Sequence, residues 1–303
     1  MAKIVLSNLD AINLTFDSNE RSASNETIHS AVDAMYSRQG YDCEPKNRQE
    51  ADAQGKRDFN GLTMSVREHT IDSTARSVHF TLAPIRYLYR QAYADLLKAS
   101  PLTYEDQGAL SPNIFGTALI APVLVDGKPY LLSQIKGKAL GSGEVHAGLV
   151  AGGMKTSAAS KPNPLLTTLR AETKEELGLD LDRLDTTDFS YVMDERETGH
   201  LGVYAVLRQT DLNNILGKYE AATKQRFDES KEPEVMGVAN LPVGGLALEA
   251  IGAATETMRC FIPSPEGLII KEENRRLRPP SVAWREHLQN PENLTVLLQR
   301  AGL

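Results

Sequence analysis

The sequence predicts an α/β protein in which a mixed sheet carries packed helices, preceded by a small α+β N-terminal domain. Three observations lead there. Apolar runs bounded by turn residues dominate from Ile114 to Lys136. Beyond them the order is strands, helix, strands, helix, which is not the regular alternation of a doubly wound sheet. Before residue 108 the texture is more polar, with one strand pair and one amphipathic helix. The expected division is therefore 1–108 for the N-terminal domain and 109–303 for the larger domain with C-terminal helices.

In order along the chain, Ser24 or Asn25 is placed to cap a helix carrying Ile28, Val32, Met35 and Tyr36. The stretch KNRQEADAQGKRD reads as solvated. GLTMSVRE and ARSVHFTL alternate with a period near two and predict a strand pair. Pro84 then opens a helical pattern on Ile85, Leu88, Tyr89, Ala92 and Leu96. IFGTALIAPVLV and PYLLSQIK flank Asp126-Gly127, the signature of a hairpin. EVHAGLVAGG reads as a strand. PLLTTLRAETKEELGL has Pro164 in its first turn and Gly178 as its stop, so it predicts a helix. DFSYVMDE and LGVYAVL read as strands around Thr198-Gly199-His200, Asn213 to Phe227 as a helix, and EVMGVANLPV as a strand. The C-terminal segments 265–277 and 292–300 read as helical, separated by Pro279-Pro280.

Composition narrows the function classes. The chain has 303 residues, with 33 Lys+Arg against 40 Asp+Glu and a net charge of −7. That length can bury a sizeable core. The acidic balance argues against a nucleic-acid groove, which needs clustered Lys and Arg, and an anionic substrate would require a cation. Cys43 and Cys260 are too few for a disulfide framework, which suits a reducing compartment, and a cytoplasmic location is expected. MAKIVLSNLD is too short for a leader core, and no apolar run approaches the ~18–20 residues of a membrane span. Neither HExxH, nor a phosphate-cradling GxxxxGK[ST], nor a GxSxG elbow occurs.

The chemistry-bearing segment is 151–181. On a helix Glu172, Glu175 and Glu176 stand at i, i+3 and i+4 and share one side. Their repulsion calls for a counter-ion. Mg²⁺ or Mn²⁺ suits carboxylate oxygens and bridges to phosphate; the plain alternative is a solvated acidic face paired with Lys174 and Arg170. A strand ending in Gly152-Gly153 enters this helix through a loop, so backbone carbonyls and carboxylates can meet at one corner.

The segment resembles the box of the Nudix superfamily, G-x5-E-x7-R-E-U-x-E-E-x-G-U, with U aliphatic. Glu172, Glu175, Glu176, Gly178 and Leu179 match its second half, and Gly152-Gly153 stand where its loop begins. The sequence departs from it where Ala171 replaces the box Arg, Thr173 takes an aliphatic slot, and Asn163 stands in register with the first Glu. The loop is four residues longer than the pattern, since 171 − 153 = 18 against 14. The resemblance covers about residues 112–275 and implies an α/β/α sandwich with a mixed sheet. It further implies hydrolysis of a nucleoside diphosphate linked to another moiety, with Mg²⁺ or Mn²⁺ held by the box glutamates. The two-part layout is similar to that of UDP-glucose-hydrolysing Nudix members, which points toward nucleotide sugars.

On that reading Glu172, Glu175 and Glu176 bind metal with a carbonyl of Gly152 or Gly153. A general base would be Glu172, a second box acid such as Glu175, or a loop acid among Glu195, Glu197, Glu232 and Glu234. Lys136, Lys138 and Arg196 are candidates to meet the substrate phosphates. His146 reads as an inward hydrogen-bonded histidine, and Tyr87, Tyr89 and Tyr93 as a core stripe. The expected partner is a small nucleotide, with neither nucleic acid nor membrane, and the N-terminal domain could mediate a homodimer. The alternative function is a catalytically weak Nudix-fold nucleotide-binding or regulatory protein.

Overall fold

A computed structural model describes residues 2–21, 29–55, 60–100, 102–136, 144–180, 189–229, 243–251 and 257–303. In chain order the elements are β1 (Ala2–Leu6), β2 (Ala11–Phe16), α1 (Ser30–Arg38), α2 (Arg48–Ala53), β3 (Leu62–Asp72) and β4 (Ser77–Arg86). Next come α3 (Tyr89–Ala99), α4 (Tyr104–Leu110), β5 (Ile114–Val125), β6 (Lys128–Lys136), β7 (Val145–His146), β8 (Val150–Gly153), α5 (Thr156–Ala159) and α6 (Pro164–Leu177). The remainder is β9 (Phe189–Glu195), β10 (His200–Val206), α7 (Leu212–Glu229), β11 (Val243–Ala250), β12 (Thr257–Ser264), β13 (Gly267–Asn274), α8 (Pro279–Leu288) and α9 (Pro291–Ala301). The class is mixed α/β, with parallel and antiparallel strand pairs.

The chain forms two compact units, and they interleave. One comprises Met1–Thr117, Gly153–Leu165 and Tyr191–Val203; the other comprises Ala118–Gly152, Leu166–Ser190 and Tyr204–Leu303. Where the sequence suggests a single crossing at 108, the chain passes between units inside β5, β8, α6, β9 and β10.

In the first unit, β4 pairs in parallel with β2 and antiparallel with β3, while β1 pairs antiparallel with β9. Its helical layer rests on Val32, Tyr36, Ile85, Tyr89, Ala92 and Tyr93, all buried, with the Tyr36 and Tyr89 rings stacked at 4.0 Å. The tyrosine stripe is thus core at Tyr89 and Tyr93, whereas Tyr87 is exposed. Arg21 is buried and donates to Ser65 and to the carbonyls of Val66 and Pro112.

In the second unit, β6 pairs antiparallel with the end of β5, with β7 and with β11, and β12 pairs with β11 and β13. The β5–β6 hairpin turns at Asp126 (φ 51°) and Gly127 (φ 72°), the left-handed pair that a two-residue turn requires. One face of the sheet buries Ile135, Val145, Ala247, Met258 and Cys260.

Several local expectations change. Pro84 and Ile85 belong to β4, and the helix starts only at Tyr89. Proline is tolerated there because β2 ends opposite Leu82, leaving no strand that needs an N–H from residue 84; the Pro84 carbonyl accepts from Arg21 instead. Residues 267–274 form β13, not a helix: Leu268, Ile269 and Ile270 lie opposite Pro263, Ile262 and Phe261 on β12, so cross-strand pairing overrides the helical pattern. Pro279 and Pro280 lie in the first turn of α8 and start a helix where the sequence reading has a separator. The solvated stretch contains α2, capped by Asn47, whose side chain accepts from the Glu50 N–H. The cap of α1 is His29; Ser24 and Asn25 lie outside the described residues. β1 and β2 had no sequence counterpart. EVHAGLVAGG divides into β7 and β8, and most of EVMGVANLPV lies outside the described residues.

Candidate functional site

The site is assembled in the second unit where β8 and the end of β6 meet α6. The buried side of α6 carries Leu165, Leu166, Leu169, Thr173 and Leu177. At 3.6 residues per turn, Glu176 projects between Leu165 and Leu169, within roughly 20° of each, on the flank of a buried stripe that continues through Thr173, Leu166 and Leu177. Glu172 lies roughly 40° from Glu176, at the edge of the stripe, and Glu175 falls on its solvent side. Burial follows the geometry: Glu176 is 6% exposed, Glu172 half-buried and Glu175 exposed. Three acids that share a side in the sequence thus occupy three environments.

Each inward acid has its own support. Glu176 Oε1 lies 3.4 Å from Lys136 Nζ, and both side chains are 8% exposed. Glu176 Oε2 is buried and finds no hydrogen-bond partner among the described residues. Burial pushes the Glu176 carboxyl up, against the Lys136 ammonium and the Ala151 backbone N–H, which pull it down. Burial likewise pushes Lys136 down, with Glu176 opposing, the Arg278 charge adding to the fall and Glu172 opposing it. Glu172 lies over Gly152: a Cβ there would stand 2.1 Å from the Glu172 carboxyl carbon. With Glu172 in this position, residue 152 has no room for a Cβ. Gly153 faces no such demand, since its Cβ would meet Thr63 Oγ1 at 3.5 Å, an ordinary contact.

Of the departures from the box, Thr173 has a physical account. Thr173 fills an aliphatic slot and is fully buried, because its hydroxyl donates to the Leu169 carbonyl at 2.6 Å and leaves its methyl to pack. Ala171 and Arg170 are both exposed. The C-terminus of α6 is held from α7: Arg226 donates to the Glu175 carbonyl, and to the Glu176 carbonyl at 3.5 Å. Gly178 takes φ 70° and ends the helix, its Cα facing Ala222 so closely that a Cβ would come within 2.3 Å.

The other candidates disperse. Lys138, Glu232 and Glu234 lie outside the described residues. Arg196 and Glu197 belong to the first unit, in a short 3-10 turn at Arg196–Thr198. There Arg196 Nε donates to Asp194 at 2.6 Å, its guanidinium lies against Gly108, and its carbonyl accepts from the Tyr93 hydroxyl. That is a structural set of contacts. His146 is buried and its Nδ1 accepts from the Gly148 N–H at 3.0 Å, the satisfied inward histidine that the sequence suggests.

Sequence reasoning missed Gln134 and Arg226. Gln134 is fully buried, and neither amide atom finds a partner among the described residues. It stands two positions before Lys136 on β6, so the period-two rule puts both on one face, a signal that was legible. Arg226 carried none, because its partners are 50 and 51 residues away.

Chemically, the corner offers one buried carboxylate with a spare oxygen, a second carboxylate held against a glycine, and a cation between strand and helix. Among the described residues no three His, Cys, Asp or Glu side chains gather as a ready-made metal cluster. No helix among them is long and apolar enough to cross a membrane. No family model matches the chain, and no curated protein matches it significantly.

Proposed function

We propose that this chain is a metal-dependent hydrolase that cleaves the pyrophosphate bond of a nucleoside diphosphate linked to another moiety, such as a sugar. A Nudix-type α/β/α sandwich drawn mainly from residues 109–303 is part of the same proposal. The observation that carries it is Glu176: a carboxylate set between Leu165 and Leu169 on the buried side of α6, one oxygen of which has no hydrogen-bond partner among the described residues, with a second carboxylate, Glu172, packed against Gly152. Burying a charge is strongly unfavourable unless it is paired or coordinates a cation. Lys136 answers half of that demand.

In this reading Glu172 and Glu176 hold Mg²⁺ or Mn²⁺, and the spare Glu176 oxygen fits that role. A bound divalent ion would neutralise diphosphate oxygens and acidify a water. The rest is the work of the chain. Glu172, half-buried and so within reach of solvent, is the acid that accepts the proton of the attacking water in this reading. Gly152 fixes where that carboxylate sits, and Arg226 anchors the last turn of α6 so that Glu176 keeps its direction. Lys136 supplies positive charge at the buried end.

The test is hydrolysis of a panel of nucleoside-diphosphate sugars and related compounds by the purified chain with Mg²⁺ or Mn²⁺. Glu176→Gln and Glu172→Gln should each lower kcat/KM by about a hundredfold or more, in the range expected for loss of a metal ligand or general base. Glu175→Gln should cost far less, because that side chain is exposed. No turnover across the panel, or turnover indifferent to Glu176→Gln, refutes the proposal.

A second reading, a nucleotide-binding protein with weak or no catalysis, is favoured by the Lys136–Glu176 ion pair, which already satisfies part of the acidic corner. Saturable nucleotide binding without product and without metal dependence would select it.

A further inference from the structure

We infer that Lys136 is a built-in counter-ion that competes with the divalent cation for Glu176, so that metal loading requires the ammonium to withdraw from the carboxylate. The inference rests on the metal-dependent reading above and assigns Lys136 a role different from phosphate binding.

The geometry carries it. Lys136 Nζ is 3.4 Å from Glu176 Oε1, and both side chains are almost completely enclosed. The pair bridges strand and helix within one compact unit, from the last residue of β6 to the penultimate residue of α6. Lys136 cannot drift away at no cost, because its backbone is fixed by a hydrogen bond to the Glu144 carbonyl and by pairing with Val243. The other charged groups bearing on the ammonium are Glu172 and Arg278. Two cations of total charge three, drawn to one carboxylate inside a low-dielectric corner, repel each other strongly. A divalent ion at the Glu176 oxygen that has no hydrogen-bond partner among the described residues therefore meets an ammonium already seated at the other oxygen. Removing that ammonium takes away the repulsion and frees the Glu176 oxygen it occupies, which favours the metal.

Mn²⁺ binding to the full chain, followed by the electron paramagnetic resonance signal of free Mn²⁺, tests this without reference to turnover. Lys136→Met should bind Mn²⁺ at least tenfold more tightly than the wild type, while Lys136→Arg, which keeps the cation, should bind no more tightly than wild type. Tightening in Lys136→Met also supports the inference if the wild type itself takes up no Mn²⁺. Unchanged or weaker Mn²⁺ binding in Lys136→Met, with measurable binding by the wild type, overturns the inference and leaves the metal site standing. No binding by any of the three forms overturns the metal reading and this inference with it. Should Lys136→Met fail to fold, the wild type decides: acetylation of Lys136 by an N-hydroxysuccinimide ester, read by peptide mass, should increase when millimolar Mg²⁺ is added. Acetylation unaffected or reduced by Mg²⁺ overturns the inference.

Discussion

Gly152 and Gly153 are adjacent and chemically identical, yet the packing around them gives opposite expectations for alanine. At 152 a Cβ would collide with the Glu172 side chain at 2.1 to 2.4 Å, so Gly152→Ala must push that carboxylate aside. Glu172 is a flexible, half-buried side chain, so its displacement should cost less than about 1 kcal/mol of stability, but the variant should lose most of any rise in melting temperature that Mn²⁺ produces at the proposed site. Gly153→Ala meets nothing closer than 3.5 Å and should change stability by less than about 1 kcal/mol. Equal behaviour of the two variants in a thermal-shift titration would contradict the placement of Glu172. The glutamate triplet divides in the same way. Helical spacing puts all three on one side, but burial separates Glu176 from exposed Glu175, and that separation comes from the flanking Leu165 and Leu169, not from the acids.

At the scale of elements, α6 is defined at both ends by different means. Pro164 opens it, Gly178 closes it, and both are readable in the sequence. The clasp from α7 is not. Arg226 meets carbonyls that have no partner within their own helix, where a cation is also favoured by the helix dipole. Arg226→Met should lower stability by about 1 kcal/mol, measured as a lower urea midpoint with unchanged slope. Gly178→Ala should be worse, about 2 kcal/mol or more, because it combines a left-handed backbone with a 2.3 Å approach to Ala222. The strand β13 illustrates the opposite case. Its Leu-Ile-Ile run fits a helix face when counted alone, and only the eight-residue ladder with β12 makes it a strand.

At the scale of the whole molecule, a buried acid outside the site, Glu249 on β11, bears on stability. It is enclosed, and burial raises its carboxyl to about 7, against smaller opposing effects of the Ser133 hydroxyl and the Arg285 charge. One of its oxygens has no hydrogen-bond partner among the described residues. The folded state thus binds a proton more tightly than the unfolded chain does. The stability this provides is full below the unfolded value near 4.5 and is lost as pH rises through about 7. Between pH 5 and pH 8 the loss should be on the order of 2–3 kcal/mol. Glu249→Gln should flatten that part of the pH–stability curve in chemical denaturation. A curve as steep as that of the wild type would show that another group is responsible.

The sequence by itself determined the α/β class, the β5–β6 hairpin, the extent of α6 and the row of glutamates along it. Those features follow from periodicity, turn residues and helical spacing over a few positions, and such local rules operate before any tertiary contact forms. Tertiary structure alone decided that Glu176 would be buried against Lys136 forty residues earlier in the chain, and that Gly152, not Gly153, would support Glu172. It also decided that β4 would run through Pro84 and that the chain would pass repeatedly between its two units. Each of these depends on which surfaces exclude water together and on which distant strand leaves a backbone group without need of a partner. That information is held by the assembled chain and by no single stretch of it.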